Sequence, residues 1–257
     1  MALGRVYAQL AHGRPTAQAD RPTSAERARS PAIPYYARPV PSPTAENYLK
    51  ALLALGGADG EVSVTALAEA LEVSKPTASA MAKSLAERGL LRRERYRPLA
   101  LTPAGRRAAA QVVRKHRLTE MFLVERMGFG WEEVHPIAEQ VEHVDSPRFF
   151  ARMDELMGHP THDPHGSPIP TPDGSLPPGA AQRPLTEVSV GERVRLSAVT
   201  AETDALLALL TRKGIALGTA FELLEREPFD GSVRVRYAGR EEVLSASVGR
   251  CLLVAAE

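Results

Sequence analysis

The stretch His135–Pro–Ile–Ala–Glu139–Gln–Val–Glu142–His143 places four ionisable side chains at i, i+4, i+7 and i+8. On an α-helix those positions share one face, so two imidazoles and two carboxylates converge on a single patch. Upstream, His116 and Glu120 repeat the i, i+4 spacing on what reads as the preceding long helix. Packed together, the two faces would bring several nitrogen and oxygen donors within reach of one or two divalent metal ions. A Glu/His-rich helix taken alone is more often a solvated face. The second cluster, and a reader of DNA beside it in the chain, favour the metal.

The elements that must position these donors follow from caps and apolar stripes. Thr102–Pro–Ala–Gly opens a long helix predicted to run to about Met127, and a second helix is expected from about Trp131 to Val144. Ser146–Pro147 caps a third, whose apolar side is Phe149, Phe150, Met153 and Leu156. That side, with Phe122 and Leu123, reads mainly as core, and its excess over one small bundle would suit a dimer interface.

Before this helical set lies a different pattern. Thr44 is the expected N-cap of a helix with the stripe Tyr48, Leu49, Leu52, Leu53 and Leu55, and Ser63 to Leu71 reads as a short helix. In the segment Val73 to Gly89, Ser74 caps, Pro76 fits the first turn and Gly89 closes the helix. Leu90 to Leu101 completes a helix-turn-helix with a β-hairpin wing. Between Lys75 and Arg97 stand seven basic residues and two acidic ones, the positive face that a whole-chain net charge of +1 conceals. Phosphate contacts are expected from Ser74, Lys75, Thr77, Ser79, Lys83 and the wing arginines Arg93, Arg95 and Arg97, with Pro76 able to meet a thymine methyl. Ala78 and Ala80 fill positions where a Gln or Arg would read a base edge, so shape or dimer spacing would carry much of the specificity.

A chain of 257 residues with 44% hydrophobic content can bury real cores in two modest domains or one large one. The single cysteine, Cys251, excludes an internal disulfide, and no apolar run is long enough to cross a membrane. With no secretory signal in its first ten residues, the chain is expected to be cytoplasmic. Residues 1–43 are Pro- and Arg-rich without an apolar period and read as a disordered arm. The expected order is then a winged helix over 44–102, a helical domain over 103–158, a linker over 159–184 and a small β-barrel over 185–257. The linker histidines His159, His162 and His165 are irregularly spaced among prolines and read as loop polarity. In the barrel, strands are expected at Val188–Val190, Glu192–Val199, Phe221–Leu224, Ser232–Tyr237 and Leu252–Val254, with a helix near Thr203–Arg212.

Thr44–Ala–Glu–Asn–Tyr–Leu, Ser74–Lys–Pro–Thr–Ala–Ser, Leu101–Thr–Pro–Ala–Gly, Arg114–Lys–His–Arg–Leu–Thr–Glu120, Glu142–His143 and His165–Gly–Ser–Pro–Ile–Pro170 occur in that order. Together they resemble the diphtheria toxin repressor family of metal-dependent transcriptional regulators, over roughly Thr44 to Glu257. The resemblance implies a mainly α fold with a small β domain: an N-terminal winged helix-turn-helix, a helical dimerisation and metal-binding domain and a C-terminal SH3-like, FeoA-like β-barrel. It implies that His116, Glu120 and His135 form one metal site and Glu139, Glu142 and His143 the other. It also implies that Asn47 is a ligand from the first helix and Glu202 an extra ligand from the barrel. Iron-responsive members carry Cys at the position of Glu139 and Met at that of Asn47, whereas manganese-responsive members carry a carboxylate at the first. Hard oxygen in place of soft sulfur moves preference toward Mn²⁺, with Fe²⁺ the alternative.

The expected protein is a homodimeric, manganese-activated (or iron-activated) repressor of metal-uptake genes that binds a double-stranded DNA operator, with no membrane partner and no catalytic residues. Two other readings stay open: a winged-helix regulator answering an organic ligand, and a metal-dependent hydrolase. Against the hydrolase, the donors sit beside a DNA-reading module and no separate nucleophile or base stands near them.

Overall fold

The computed structural model describes residues 42–56, 60–94, 97–177, 181–200 and 203–257. Residues 1–41 of the expected 1–43 arm, together with Arg95 and Glu202, lie outside the described residues, while Ser42 and Pro43 begin the first helix.

Helix α1 (Pro43–Leu55) begins earlier than its stripe suggests: Ser42, not Thr44, is the N-cap, and its hydroxyl accepts from Ala45 N. Pro43 sits in the first turn, where a missing N–H costs nothing. Helices α2 (Val64–Ala70) and α3 (Lys75–Glu87) are capped by Ser63 and Ser74, the second as the sequence implies. Strands β1 (Glu61–Val62), β2 (Leu91–Arg92) and β3 (Leu99–Leu101) form an antiparallel sheet in the order β1-β3-β2. One core joins Leu49 and Leu52 of α1, Leu67 of α2, Ala78, Ala82 and Leu85 of α3, and Leu99 and Leu101 of β3. Ala78 is therefore a packing residue that lets α3 approach, not a position facing DNA; Ala80 is the exposed one.

Helix α4 (Pro103–Met127) is the spine. The Thr102 hydroxyl accepts from Gly105 N at 3.0 Å and donates to Gly89 O at 2.8 Å, and Gly128 ends the helix in the left-handed conformation. Helix α5 (His135–Val141) is shorter than expected, starting at His135 instead of Trp131. Pro136 has no N–H to donate and must occupy a first turn, so the helix cannot run through it from Trp131. Glu142 is its C-cap, and His143 lies in the turn beyond. Helix α6 (Pro147–Leu156) follows.

The Pro-rich stretch after α6 is packed along α4. Proline carbonyls accept from the spine: Pro168 O from Arg117, Pro170 O from Arg114 at 2.8 Å and Pro172 O from Gln111. Asp163, His165, Ser167 and Ile169 are buried there.

The remaining chain forms a six-stranded antiparallel sheet, ordered β4-β9-β5-β6-β7-β8, wrapped about one apolar core. Its strands are β4 (Arg183–Pro184), β5 (Arg193–Val199), β6 (Ala220–Arg226), β7 (Val233–Tyr237), β8 (Arg240–Leu244) and β9 (Leu252–Ala256). Helix α7 (Asp204–Arg212) is capped by Thr203, and α8 (Ala246–Cys251) by Ser245. Val188–Val190, expected as a strand, follows a 3-10 turn (Leu185–Glu187) instead, and the strand there is β4. Strand β8 goes unseen in the sequence because its residues are mostly polar and outward; a two-residue turn at Ala238–Gly239, both at positive φ, pairs it with β7. Among the described residues, no helix is long and apolar enough to cross a membrane.

Candidate metal centre

His116 and Glu120, one turn apart on α4, are both buried, and His135 opens α5 against them. His116 Nε2 lies 2.9 Å from Glu120 Oε1 and 3.1 Å from His135 Nδ1, which is 3.2 Å from Glu120 Oε1. Donors about 2.1 Å from a common ion, at right angles, stand about 3.0 Å apart. The three atoms are close enough together that they could hold one ion, with two imidazole nitrogens and one carboxylate oxygen, a donor set suited to Mn²⁺, Fe²⁺ or Zn²⁺. Behind the face, His116 Nδ1 is 2.6 Å from Glu142 Oε2. An ionised carboxylate only accepts, so Nδ1 carries the proton and Nε2 is left as the donor toward the site.

A further group meets at Glu120. Glu120, Asp163 and His165 offer donor atoms within 4.8 Å of one another, all buried. His165 Nε2–H donates to Trp131 O at 2.8 Å, turning Nδ1 toward Glu120 Oε2 at 4.0 Å. Asp163 Oδ1 accepts from the backbone N–H of His165 and Ser167, each at 2.9 Å, and its other oxygen lies 3.4 Å from Arg117 Nε. Its evident work is to shape the turn that presents His165. Gly166 is needed in that turn: at φ +87°, with a Cβ that would stand 2.1 Å from Ser197 O of β5. Val199 N donates to His165 O at 2.9 Å, and Trp131 packs on the barrel core while its Nε1 donates to Thr211 Oγ1 at 2.8 Å. His165 is therefore buried against the candidate centre, not a polar residue of an exposed loop, whereas His159 is exposed beside Asp154. Nothing in its spacing marks it, because the strap on α4 brings it there.

The second group expected from the sequence is arranged differently. Glu142 is completely buried; Oε2 holds His116, and Oε1 accepts from the buried ammonium of Lys50. His143 Nε2 is 3.6 Å from Glu142 Oε1, and its Nδ1 is 2.6 Å from Glu46 Oε2. Glu139, half-buried, reaches His135 Nε2 at 3.5 Å. Helix α1 thus meets the group through Glu46 and Lys50, while Asn47, the ligand implied by the family resemblance, sits half-buried beside Glu46. Neither Glu46 nor Lys50 was singled out from the sequence, although two charges at i, i+4 inside an apolar helix are a legible signal.

Protons on the imidazoles balance the carboxylates of the network. Burial works against a charge on His116, but Glu120 and Glu142 outweigh it and raise its pKa. Burial also opposes a charged His135, and the carboxylates of Glu120 and Glu139 overcome it, pushing the pKa up to about 10. Despite its own burial, Glu120 is held well below the usual carboxylate range by His116, His135 and His165.

On the expected DNA face, Lys75, Pro76, Thr77, Lys83, Arg93 and Arg97 are exposed, and Ser79 is half-buried. Ser74 Oγ is engaged in the cap with Thr77, and Arg93 donates to Ser79 Oγ at 3.0 Å, tying the wing to α3.

Comparison with known proteins covers nearly all of this architecture. Residues 42–99 match the family described as the iron dependent repressor N-terminal DNA binding domain, and residues 102–171 its metal binding and dimerisation domain. Residues 183–256 match the FeoA domain. The iron-dependent repressor IdeR of Mycobacterium tuberculosis (strain H37Rv) is 35% identical over 217 residues, covering 78% of this chain and 91% of the relative. The diphtheria toxin repressor of Corynebacterium diphtheriae is 32% identical over 212 residues, covering 77% and 90%. Among solved structures, a manganese-dependent transcriptional repressor in complex with manganese superposes with a TM-score of 0.73 at 35% identity, covering 83% of this chain and all of that one. ScaR with bound Zn²⁺ gives 0.68 at 30% identity, covering 83% and 99%. With a capped winged helix, a donor face on two helices and an SH3-like sheet in one chain, this protein belongs to the diphtheria toxin repressor family of metal-dependent transcriptional regulators.

Proposed function

We propose that the chain is a homodimeric transcriptional repressor that closes metal-uptake genes when Mn²⁺, or alternatively Fe²⁺, is plentiful. The observation that carries this reading is the donor face of His116 Nε2, Glu120 Oε1 and His135 Nδ1, with Glu142 fixing the His116 tautomer behind it. His165 faces the same carboxylate. A bound divalent ion would supply a concentrated positive charge that replaces the imidazole protons. The similar manganese-complexed repressor and the carboxylate at Glu139 favour Mn²⁺.

Helix α1 is the element that joins metal and DNA. Its Glu46 and Lys50 reach α5 and the turn after it, and its Leu49 and Leu52 share a core with Leu85 of α3. A shift of α1 against α5 therefore moves the recognition helix. Ser74, Lys75, Pro76, Thr77, Ser79, Lys83, Arg93, Arg95 and Arg97 would meet the operator, mostly at phosphates. Exposed Met127, Val144, Phe149 and Leu156 offer the apolar surface for a second copy. Coupling of about 1–3 kcal/mol would change operator affinity by roughly 5–150-fold, enough for a sensor. The deciding experiment measures metal content and operator binding together across Mn²⁺, Fe²⁺ and Zn²⁺. Operator affinity that does not respond to any of the three would overturn the reading.

A further inference from the structure

Lys50 is one of the most deeply buried side chains of the protein, with 1% of its surface exposed. A buried ammonium persists only where a counter-charge meets it, and its partner is Glu142 Oε1. That oxygen is also the one 3.6 Å from His143 Nε2, so the ammonium and the imidazole both approach the same carboxylate oxygen. One turn earlier on α1, Glu46 takes His143 through Nδ1. Both donors of the pair are therefore satisfied from a single face of α1. At the first group the three donors face one another across 2.9–3.2 Å.

We propose that Lys50 is a resident counter-ion of the second group, and that a metal enters between Glu142 and His143 only by displacing it. This rests on the reading of the cluster as a metal centre. Lys50 then sets the affinity of the second binding step and hence the metal level at which α1 is re-seated. A divalent ion outcompetes a monovalent ammonium for a carboxylate and an imidazole, but the competition makes the second step weaker than the first. It also couples that step to DNA binding, because the displaced residue belongs to the helix that packs on α3.

The test is Mn²⁺ binding to the full-length protein without DNA, followed by calorimetry and by the electron paramagnetic resonance of free Mn²⁺. Lys50→Gln and Lys50→Met, the second keeping length and apolar fit, should each tighten the weaker step at least tenfold. Lys50→Arg, which keeps the charge, should leave it weak. The tighter step, identified by its loss in Glu120→Gln, should not change. A weaker step that is unaltered or loosened in a folded Lys50→Gln or Lys50→Met variant overturns the proposal. Absence of Mn²⁺ binding in the parent and all variants would instead overturn the metal centre itself, so the two failures are distinguishable.

Discussion

The two halves of the cluster contain the same kinds of residue and do different things. His116, Glu120 and His135 face one another at the spacing of ligands around an ion, held by α4 and by Glu142 behind. Glu142 and His143 face α1 and are already satisfied by Lys50 and Glu46. A donor set on rigid, mutually packed helices is preorganised, whereas one satisfied by a neighbouring helix must be opened first. In the proposed reading, affinity would belong to the first half and the link to DNA to the second.

The largest effect that can break this contrast comes from Glu120, which faces both imidazoles and His165. Glu120→Gln is expected to weaken Mn²⁺ binding by roughly 100-fold or more, beyond the range for loss of an outer partner. Operator binding should become independent of metal. Direct Mn²⁺ titration with circular dichroism as a control for folding checks it, and affinity within a few-fold of the parent would place the high-affinity site elsewhere.

Glu142→Ala touches both halves at once, since one oxygen orients His116 and the other holds Lys50. Metal affinity should fall by about 10–100-fold. The metal-free variant should also lose about 3–5 kcal/mol of stability, because a buried ammonium is left without its partner. His143→Ala, whose side chain is less buried, should abolish metal-dependent operator binding with a smaller stability loss. Equal denaturant midpoints for parent and Glu142→Ala would show that Lys50 does not depend on Glu142.

Acidity separates the halves more gently. The folded pKa of His135, about 10, lies above its ordinary 6.5. Its charge therefore stabilises the metal-free chain fully below about pH 6.5, and that contribution fades as pH rises toward 10. The same proton opposes a metal, so Mn²⁺ affinity should rise with pH across that window, by up to about tenfold per unit for each proton released. A calorimetric titration in two buffers of different ionisation enthalpy counts those protons; a count of zero would remove the protonated histidines from the site.

The smallest expected change is in metal choice. Glu139 reaches His135 from the outer, half-buried side. Glu139→Cys should lower Mn²⁺ affinity several-fold while holding or raising that for Fe²⁺, Co²⁺ and Zn²⁺, since thiolate favours softer ions. An unchanged metal ranking in operator-binding titrations would exclude Glu139 as a ligand.

Local chemistry was legible in the chain itself. Ser74 and Thr102 cap their helices as their positions imply, and the i, i+4 pair His116 and Glu120 does share one face. These features depend on hydrogen bonds and side-chain directions within a turn or two, which residue order alone determines. The first donor face could be assembled from two such segments because a short connection brings α5 back against α4. Ala78 went unread as core for a related reason: which side of α3 faces inward is settled by α1 and the wing, not by α3.

What the chain alone could not reveal depends on contacts between distant segments. Lys50 and Glu142 are 92 positions apart, Glu46 and His143 are 97, and His165 reaches Glu120 from a strap that proline carbonyls bind to α4. Burial turns each of these from an ordinary surface charge or loop histidine into a group that must be paired, and burial is a property of packing, not of spacing. The residue types and their helical periods determined that the protein has metal-binding chemistry beside a DNA reader. Tertiary structure alone decided which donors face one another and which face a lysine, because a charge in a low-dielectric interior takes the partner that the fold delivers.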